Sequence, residues 1–423
     1  MNKLILLLIF IITCNTGRSE WKQLTSYPSS SSKKLLIANG FMFSCSINNG
    51  AYRSSDNGNS WTEINNNLVN SDSRNAYDMQ FISNKLYLAT VDGIYISTNN
   101  GDNWERKSTG LTIGPGATSI YAFSISEIDG IFYTGTWNGI YYSTNAAESW
   151  NLSNVSGEGV NIVSFIKFNE ELYAGRDAIN PPALYKSVDA GLNWVSVNVW
   201  NNFPISVFCF YAEEDSLFIG TAHGMWISTN NGSSWTSRST GFSLDPYVSS
   251  IVKSGNTMIA SLKFGGSGVF RSFNNGLMWE EITDNLPFIN DISKLIIHDD
   301  KVYAATSEKI WYRDLNEILT SISPESNLSP KEFYLSQNYP NPFNPNTVIS
   351  YSLASRSGLS ENRFVSLKVY DALGKEVAAL VNQNQIPGKY EVEFNAGNLN
   401  SGIYFYKLES ENFSEVRKMV LLK

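Results

Sequence analysis

Apolar and polar residues alternate through most of this chain in runs of four to six, with Gly- and Asn-rich turns between the runs. Alternation of period two marks short, half-buried strands. A representative stretch runs Leu86-Tyr87-Leu88-Ala89-Thr90, turns, and continues Gly93-Ile94-Tyr95-Ile96-Ser97. The same unit returns at Phe132-Tyr133-Thr134-Gly135-Thr136 with Gly139-Ile140-Tyr141-Tyr142-Ser143. It returns again at Leu217-Phe218-Ile219-Gly220-Thr221 with Gly224-Met225-Trp226-Ile227-Ser228.

A second motif follows each unit, with the pattern Ser-x-Asp/Asn-x-Gly-x-x-Trp. Six segments carry it: Ser54-x-Asp56-x-Gly58-x-x-Trp61, Ser97-x-Asn99-x-Gly101-x-x-Trp104, Ser143-x-Asn145-x-Ala147-x-x-Trp150, Ser187-x-Asp189-x-Gly191-x-x-Trp194, Ser228-x-Asn230-x-Gly232-x-x-Trp235 and Ser272-x-Asn274-x-Gly276-x-x-Trp279. Their serines are separated by 43, 46, 44, 41 and 44 residues. A period of this size marks a repeat architecture, and four short strands per repeat make one blade of a β-propeller. A further pair, Val302-Tyr303-Ala304-Ala305-Thr306 and Ile310-Trp311-Tyr312-Arg313, stays in phase but has no such segment after it. The missing outer strand is available at the other end, because Glu20-Trp21-Lys22-Gln23-Leu24 resembles Ser60-Trp61-Thr62-Glu63-Ile64. The N-terminal strand is therefore expected to complete the last blade and remove the open edge of the array. The expected fold is all-β, a seven-bladed β-propeller followed by a small Ig-like β-sandwich, with eight blades as the alternative count.

The six segments resemble the Asp boxes, or BNR repeats, of sialidase-like propellers. In physical terms the Asp or Asn side chain folds onto following backbone amides, Gly permits positive φ, and Trp anchors neighbouring blades. A calcium or ligand site in the box fits less well, since four of the six carry Asn at that position and one replaces Gly with Ala147. The resemblance implies a sialidase clamp of three arginines, a Tyr nucleophile with a Glu, and an Asp acid/base. The expected innermost strands, such as Tyr77-Asp78-Met79-Gln80, Val207-Phe208-Cys209-Phe210 and Ile292-Ser293-Lys294-Leu295, carry no arginine. Sialidase chemistry is therefore not expected. Related glucan-cutting propellers use two facing carboxylates. Here Asp78, Asp92 and Asp177 stand where solvated turn residues are common, so no acid/base pair can be selected.

Both ends carry other signals. Lys3 precedes the apolar run Leu4–Ile12, too short to span a bilayer, so residues 1–19 read as a signal peptide with cleavage before Glu20. Cys14 leaves a lipoprotein signal as the alternative. Residues 20–315 are assigned to the propeller and 316–332 to a linker. The last segment, 333–423, opens with Asn338-Tyr339-Pro340-Asn341-Pro342-Phe343-Asn344-Pro345 and resumes as alternating strands. It resembles the type A C-terminal sorting domain of the type IX secretion system. The matching residues are Tyr339, Pro340, Asn341, Pro342, Phe343, Asn344 and Pro345, then Tyr370-Asp371-x-Leu373-Gly374, Gly388-x-Tyr390 and Ser401-Gly402-Ile403-Tyr404. The resemblance implies export to the medium or the outer cell surface, with the type IX machinery as partner. An ordinary Ig-like module is the alternative.

Composition then narrows the function. The chain has 423 residues, 17% charged and 13% aromatic, and a formal net charge of −8. A net acidic chain without a Lys/Arg block has no footprint for nucleic acid. Two histidines and three cysteines make a zinc centre or a thiol enzyme an unfavoured reading, and no cofactor or metal is expected. Cys45 and Cys209 lie in apolar strand patterns, which reads as two buried thiols, with a disulfide as the alternative. No catalytic residue is assigned. Ligand-binding candidates on the face opposite the boxes are Asp92, Trp137, Arg176, Trp200, His223 and Tyr247, with Phe203 and Phe242 beside them. The expected role is non-catalytic binding of an extracellular glycan or protein, with a carboxylate-pair glycoside hydrolase as the alternative.

Overall fold

The computed structural model describes residues 20–29, 31–157, 159–177, 182–197, 206–242, 246–264, 268–287, 291–320, 333–353, 363–385, 388–410 and 413–423. Residues 1–19, expected to be a signal peptide, and most of the expected linker 316–332 lie outside them. The chain divides into two compact units, Met1–Ser321 and Ile322–Lys423.

The first unit is a ring of seven four-stranded antiparallel sheets. Blades 1 to 6 run outward in chain order, across residues 34–63, 76–106, 122–156, 162–197, 207–237 and 247–281. Blade 7 takes Ile292–His298, Lys301–Thr306 and Ile310–Asp314 from one end of the propeller and Lys22–Gln23 from the other. Lys22 pairs with Tyr312 and Gln23 with Trp311.

All six Ser-x-Asp/Asn segments fold into one turn between the third and fourth strands. In the first, Ser54 Oγ donates to Asp56 Oδ1 at 2.8 Å and accepts from Gly58 N at 2.8 Å, while Asp56 Oδ1 accepts from Ser60 N at 2.8 Å. Ala147 occupies the glycine position at φ +65°, so the turn tolerates a methyl there, whereas the five glycines avoid the strain. The tryptophan that ends each segment lies against the preceding blade. Indole N–H groups of Trp104, Trp150 and Trp279 donate to Ile64 O, Lys107 O and Arg238 O of that blade. Trp21 does the same to Ile282 O at 2.9 Å. The apolar core accordingly separates into seven clusters, each shared by two adjacent blades.

The second unit is a two-sheet sandwich. Tyr334–Leu335, Asn346–Leu353 and Gly388–Asn395 form one sheet; Glu376–Gln385, Arg363–Asp371, Gly402–Ser410 and Phe413–Leu421 form the other. Between them lie Phe343, Tyr351, Leu367, Val369, Tyr406 and Met419. The Pro-rich opening segment is held by Asn338, whose Nδ2 donates to Pro340 O at 3.0 Å and Thr347 Oγ1 at 2.9 Å. Phe343 N donates to Val420 O at 2.9 Å, which ties the segment to the last strand. Gly374, at φ +82°, completes a turn around Asp371, and Tyr404 donates to Asn400 O at 2.8 Å. Asn341 Oδ1 accepts from Val420 N at 2.8 Å.

Candidate functional site

The inner strands surround a channel. Six of the seven break register at the same place, where pairing with the second strand skips Tyr77, Phe123, Val163, Phe208, Ser249 and Ser293. A bulge leaves one residue unpaired and re-aims its neighbours. In five strands both the skipped residue and the next one line the channel: Tyr77 and Asp78, Phe123 and Ser124, Val163 and Ser164, Phe208 and Cys209, Ser293 and Lys294. The cavity they enclose is about 410 Å3. Small residues opposite three bulges let the next blade approach; a Cβ on Gly135 would lie 2.2 Å from Ile162 O.

In four of the six strands the residue after the bulge also bridges blades, Cys209 Sγ among them on Val248 O at 3.7 Å. Asp78 accepts from Ile125 N at 3.1 Å, Ser124 Oγ donates to Ile162 O at 2.8 Å, and Ser250 Oγ accepts from Leu295 N at 3.1 Å. Lys294 occupies this position in blade 7, beside blade 1, whose unbulged inner strand presents Lys34.

The channel is charged. Lys33, Lys34, Lys263 and Lys294 line it with Asp78, Asp177 and Asp291. Lys34 meets Asp78 at 2.6 Å and Lys33 meets Asp291 at 3.1 Å. Asp177 accepts from Ser206 Oγ at 2.8 Å. Lys263 Nζ lies 3.6 Å over the Phe208 ring, and burial pulls its ammonium below the ordinary lysine range, against the Asp177 and Asp291 carboxylates. Lys294 has no salt bridge or hydrogen bond among the described residues. Burial, with repulsion from Lys34, lowers its ammonium to about 8, against the opposing influence of Cys209 and Asp78. Burial raises both thiols, Cys209 to about 12, and both are unpaired.

Two series of rings lead to this channel. In one, Trp137 and Tyr121 are 6.1 Å apart, Tyr121 and Phe123 6.3 Å, and Phe123 and Tyr77 5.2 Å. In the other, Phe264 and Tyr247 are 5.2 Å apart and Tyr247 and Phe208 6.1 Å. Tyr121 is held at φ +53°, its N–H on Val91 O at 2.8 Å and its carbonyl accepting from Trp137 N at 3.1 Å. A bulky residue there carries roughly 1–2 kcal/mol of strain, and such strain concentrates at functional sites.

The candidates chosen from sequence separate accordingly. Trp137 and Tyr247 join the two ring series. Asp92 is engaged within its own blade, accepting from Tyr95 Oη at 2.5 Å and pairing with Arg106 at 3.1 Å. Arg176 donates to Pro182 O and Gly159 O and so ties two loop segments together. His223 is an exposed turn residue whose N–H donates to Thr221 Oγ1. Phe242 stacks on Trp279 at 4.8 Å, inside a core cluster. Trp200 and Phe203 lie outside the described residues. The four lysines were missed. Aligning the six inner strands by repeat would have shown one polar or ionisable residue at a fixed point in each otherwise apolar run.

Residues 337–422 match the family model of the secretion system C-terminal sorting domain. No curated protein matches the chain by sequence. Among the solved structures that share the fold are a surface component, an enzyme and an extracellular domain. PorZ, a surface component of the type IX secretion system of Porphyromonas gingivalis, is 14% identical with TM-score 0.53, over 94% of this chain and 60% of that one. The GH74 xyloglucanase from Xanthomonas campestris is 14% identical with TM-score 0.57, over 79% and 59%. The extracellular domain of a one-component system from B. thetaiotaomicron is 13% identical with TM-score 0.55, over 86% and 52%. The chain thus spans between half and three fifths of these proteins' lengths. The sorting domain identifies an exported protein, secreted or held at the cell surface, that is addressed to the type IX machinery. Among the described residues no helix is long and apolar enough to cross a membrane.

Proposed function

We propose that the propeller is a non-catalytic binding module of the Asp-box group, carried outside the cell to capture a glycan in its central channel. The observation that carries this reading is the convergence of two aromatic series on a polar cavity of about 410 Å3. Ring faces stack on sugars, and the polar wall between them supplies hydrogen bonds to hydroxyls. The six shared turns support the Asp-box assignment.

Hydrolysis is the competing reading, because GH74 enzymes share the propeller fold. It needs one carboxyl that holds a proton and a second one free to act on water or the sugar. Each channel carboxylate is already engaged: Asp78 by Lys34 and two backbone amides, Asp291 by Lys33, and Asp177 by Ser206. This favours capture over cleavage. A glycan array with the exported protein tests the reading. Retention of a glycan, lost in Tyr121→Ala and Trp137→Ala, is expected; retention unaffected by either change refutes a channel site.

A further inference from the structure

The cavity carries a charge imbalance that the protein as a whole does not share. The chain is net negative by eight charges, yet the channel lining holds four lysines against three aspartates. Three of those lysines are accounted for: Lys33 on Asp291, Lys34 on Asp78, and Lys263 over the Phe208 ring. Lys294 is left over. At its level in the ring two cations, Lys34 and Lys294, compete for one carboxylate, Asp78, and Lys34 holds it at 2.6 Å.

Lys294 is not placed by accident of a flexible surface chain. It follows the bulge at Ser293, and this bulge turns both residues into the cavity. The Ser293 hydroxyl is itself buried without a hydrogen-bond partner, as is the Ser164 hydroxyl elsewhere on the channel wall. A buried hydroxyl without a partner is costly, and the half-buried Lys294 faces the channel without a counter-ion of its own. A monoanion held in the channel beside both would supply the missing charge.

We propose that Lys294 and Ser293 form an anion site that receives the acidic substituent of a sugar, a carboxylate or a sulfate ester, while the aromatic series hold its rings. This rests on the reading of the channel as a glycan site and adds the class of glycan. The charged and titratable groups facing Lys294 are Lys34 on blade 1, Asp78 on blade 2 and Cys209 on blade 5. Lys33, Asp177, Lys263 and Asp291 complete the channel's charges. Lys294 loses its proton near pH 8, so retention of the acidic ligand weakens as pH rises through that value.

The test uses the exported protein and an array with matched neutral, uronate and sulfated termini on common backbones. Wild type is expected to retain the acidic member of a pair at least tenfold better than the neutral one. Lys294→Met removes that preference, and Lys294→Arg keeps it and carries it past pH 9, since a guanidinium stays charged. The uronate and sulfate arms show which anion fits. Equal retention of acidic and neutral members, or a preference untouched by Lys294→Met, overturns the anion site while leaving the glycan channel standing. No retained glycan of any kind overturns both. Thermal melting of each variant confirms that loss of preference is not loss of fold.

Discussion

Trp21→Ala is expected to lower the melting temperature as much as removal of a tryptophan inside a blade. Trp21 is 1% exposed and packs with Val269, Ile282, Leu286 and Val302 between blades 6 and 7. Its indole N–H donates to Ile282 O at 2.9 Å. Asn285 brackets its backbone, Oδ1 accepting from Trp21 N at 2.8 Å and Nδ2 donating to Trp21 O at 2.9 Å. Truncating a buried tryptophan costs about 3–5 kcal/mol, part of it the stranded carbonyl. With roughly 2 cal/mol/K of unfolding entropy per residue over about 300 residues, a loss of about 4 kcal/mol lowers Tm by roughly 6 °C. Trp194→Ala is the internal standard, because Asn154 brackets Trp194 with the same two bonds, at 2.8 and 2.9 Å. Scanning calorimetry of the chain lacking its signal segment measures both. A fall below 1 °C for Trp21→Ala, beside a full fall for Trp194→Ala, would refute closure of the ring by the N-terminal strand.

Lys294→Met is expected to stabilise the protein at pH 7. Its folded-state ammonium titrates near 8 against an ordinary 10.5, so below pH 8 both states are protonated and the penalty, roughly 3 kcal/mol, is fully present. Between pH 8 and 10.5 the unfolded chain holds the extra proton and the wild type gains stability; urea titrations at pH 7 and 10 should show the variant's advantage shrink. The Cys45 thiol, fully buried and raised by burial, is expected to react with a disulfide reagent at pH 8 only at the rate of unfolding. Reaction of Cys45 within mixing time would contradict its packing. In the sorting domain, Asn338→Ala removes three side-chain hydrogen bonds from a residue 2% exposed. It should cost about 2 kcal/mol and reduce the exported fraction, measured by immunoblot of medium and cells.

The blades could be read from sequence because each repeats two strong signals, alternation and the Ser-x-Asp/Asn turn with its glycine. The last blade could be read because Trp21 copies the packing position of Trp61 and its successors. The strand Glu376–Gln385 could not, since Asn382, Gln383, Asn384 and Gln385 break the alternation on a sheet edge, where polar residues cost little. The channel was hidden for a related reason. Period-two reasoning gives adjacent residues to opposite faces, but five of the six bulges turn two neighbours toward the channel, so Ser293 and Lys294 cannot both be placed by alternation. Trp137 and Tyr247 were found because large rings at a turn and at the start of an inner strand stand out without register. Asp92 and His223 were drawn in by chemistry alone, and their backbone positions make them turn residues.

Capture without cleavage in the channel is the claim that most needs a direct measurement. Calorimetric titration of the exported protein with the acidic glycan it retains best, followed by mass spectrometry of the recovered ligand, provides it. Saturable binding of one glycan per chain, abolished in Tyr121→Ala, with the ligand recovered at its original mass, is the predicted result. Shortened ligand, or binding that survives Tyr121→Ala unchanged, would contradict it.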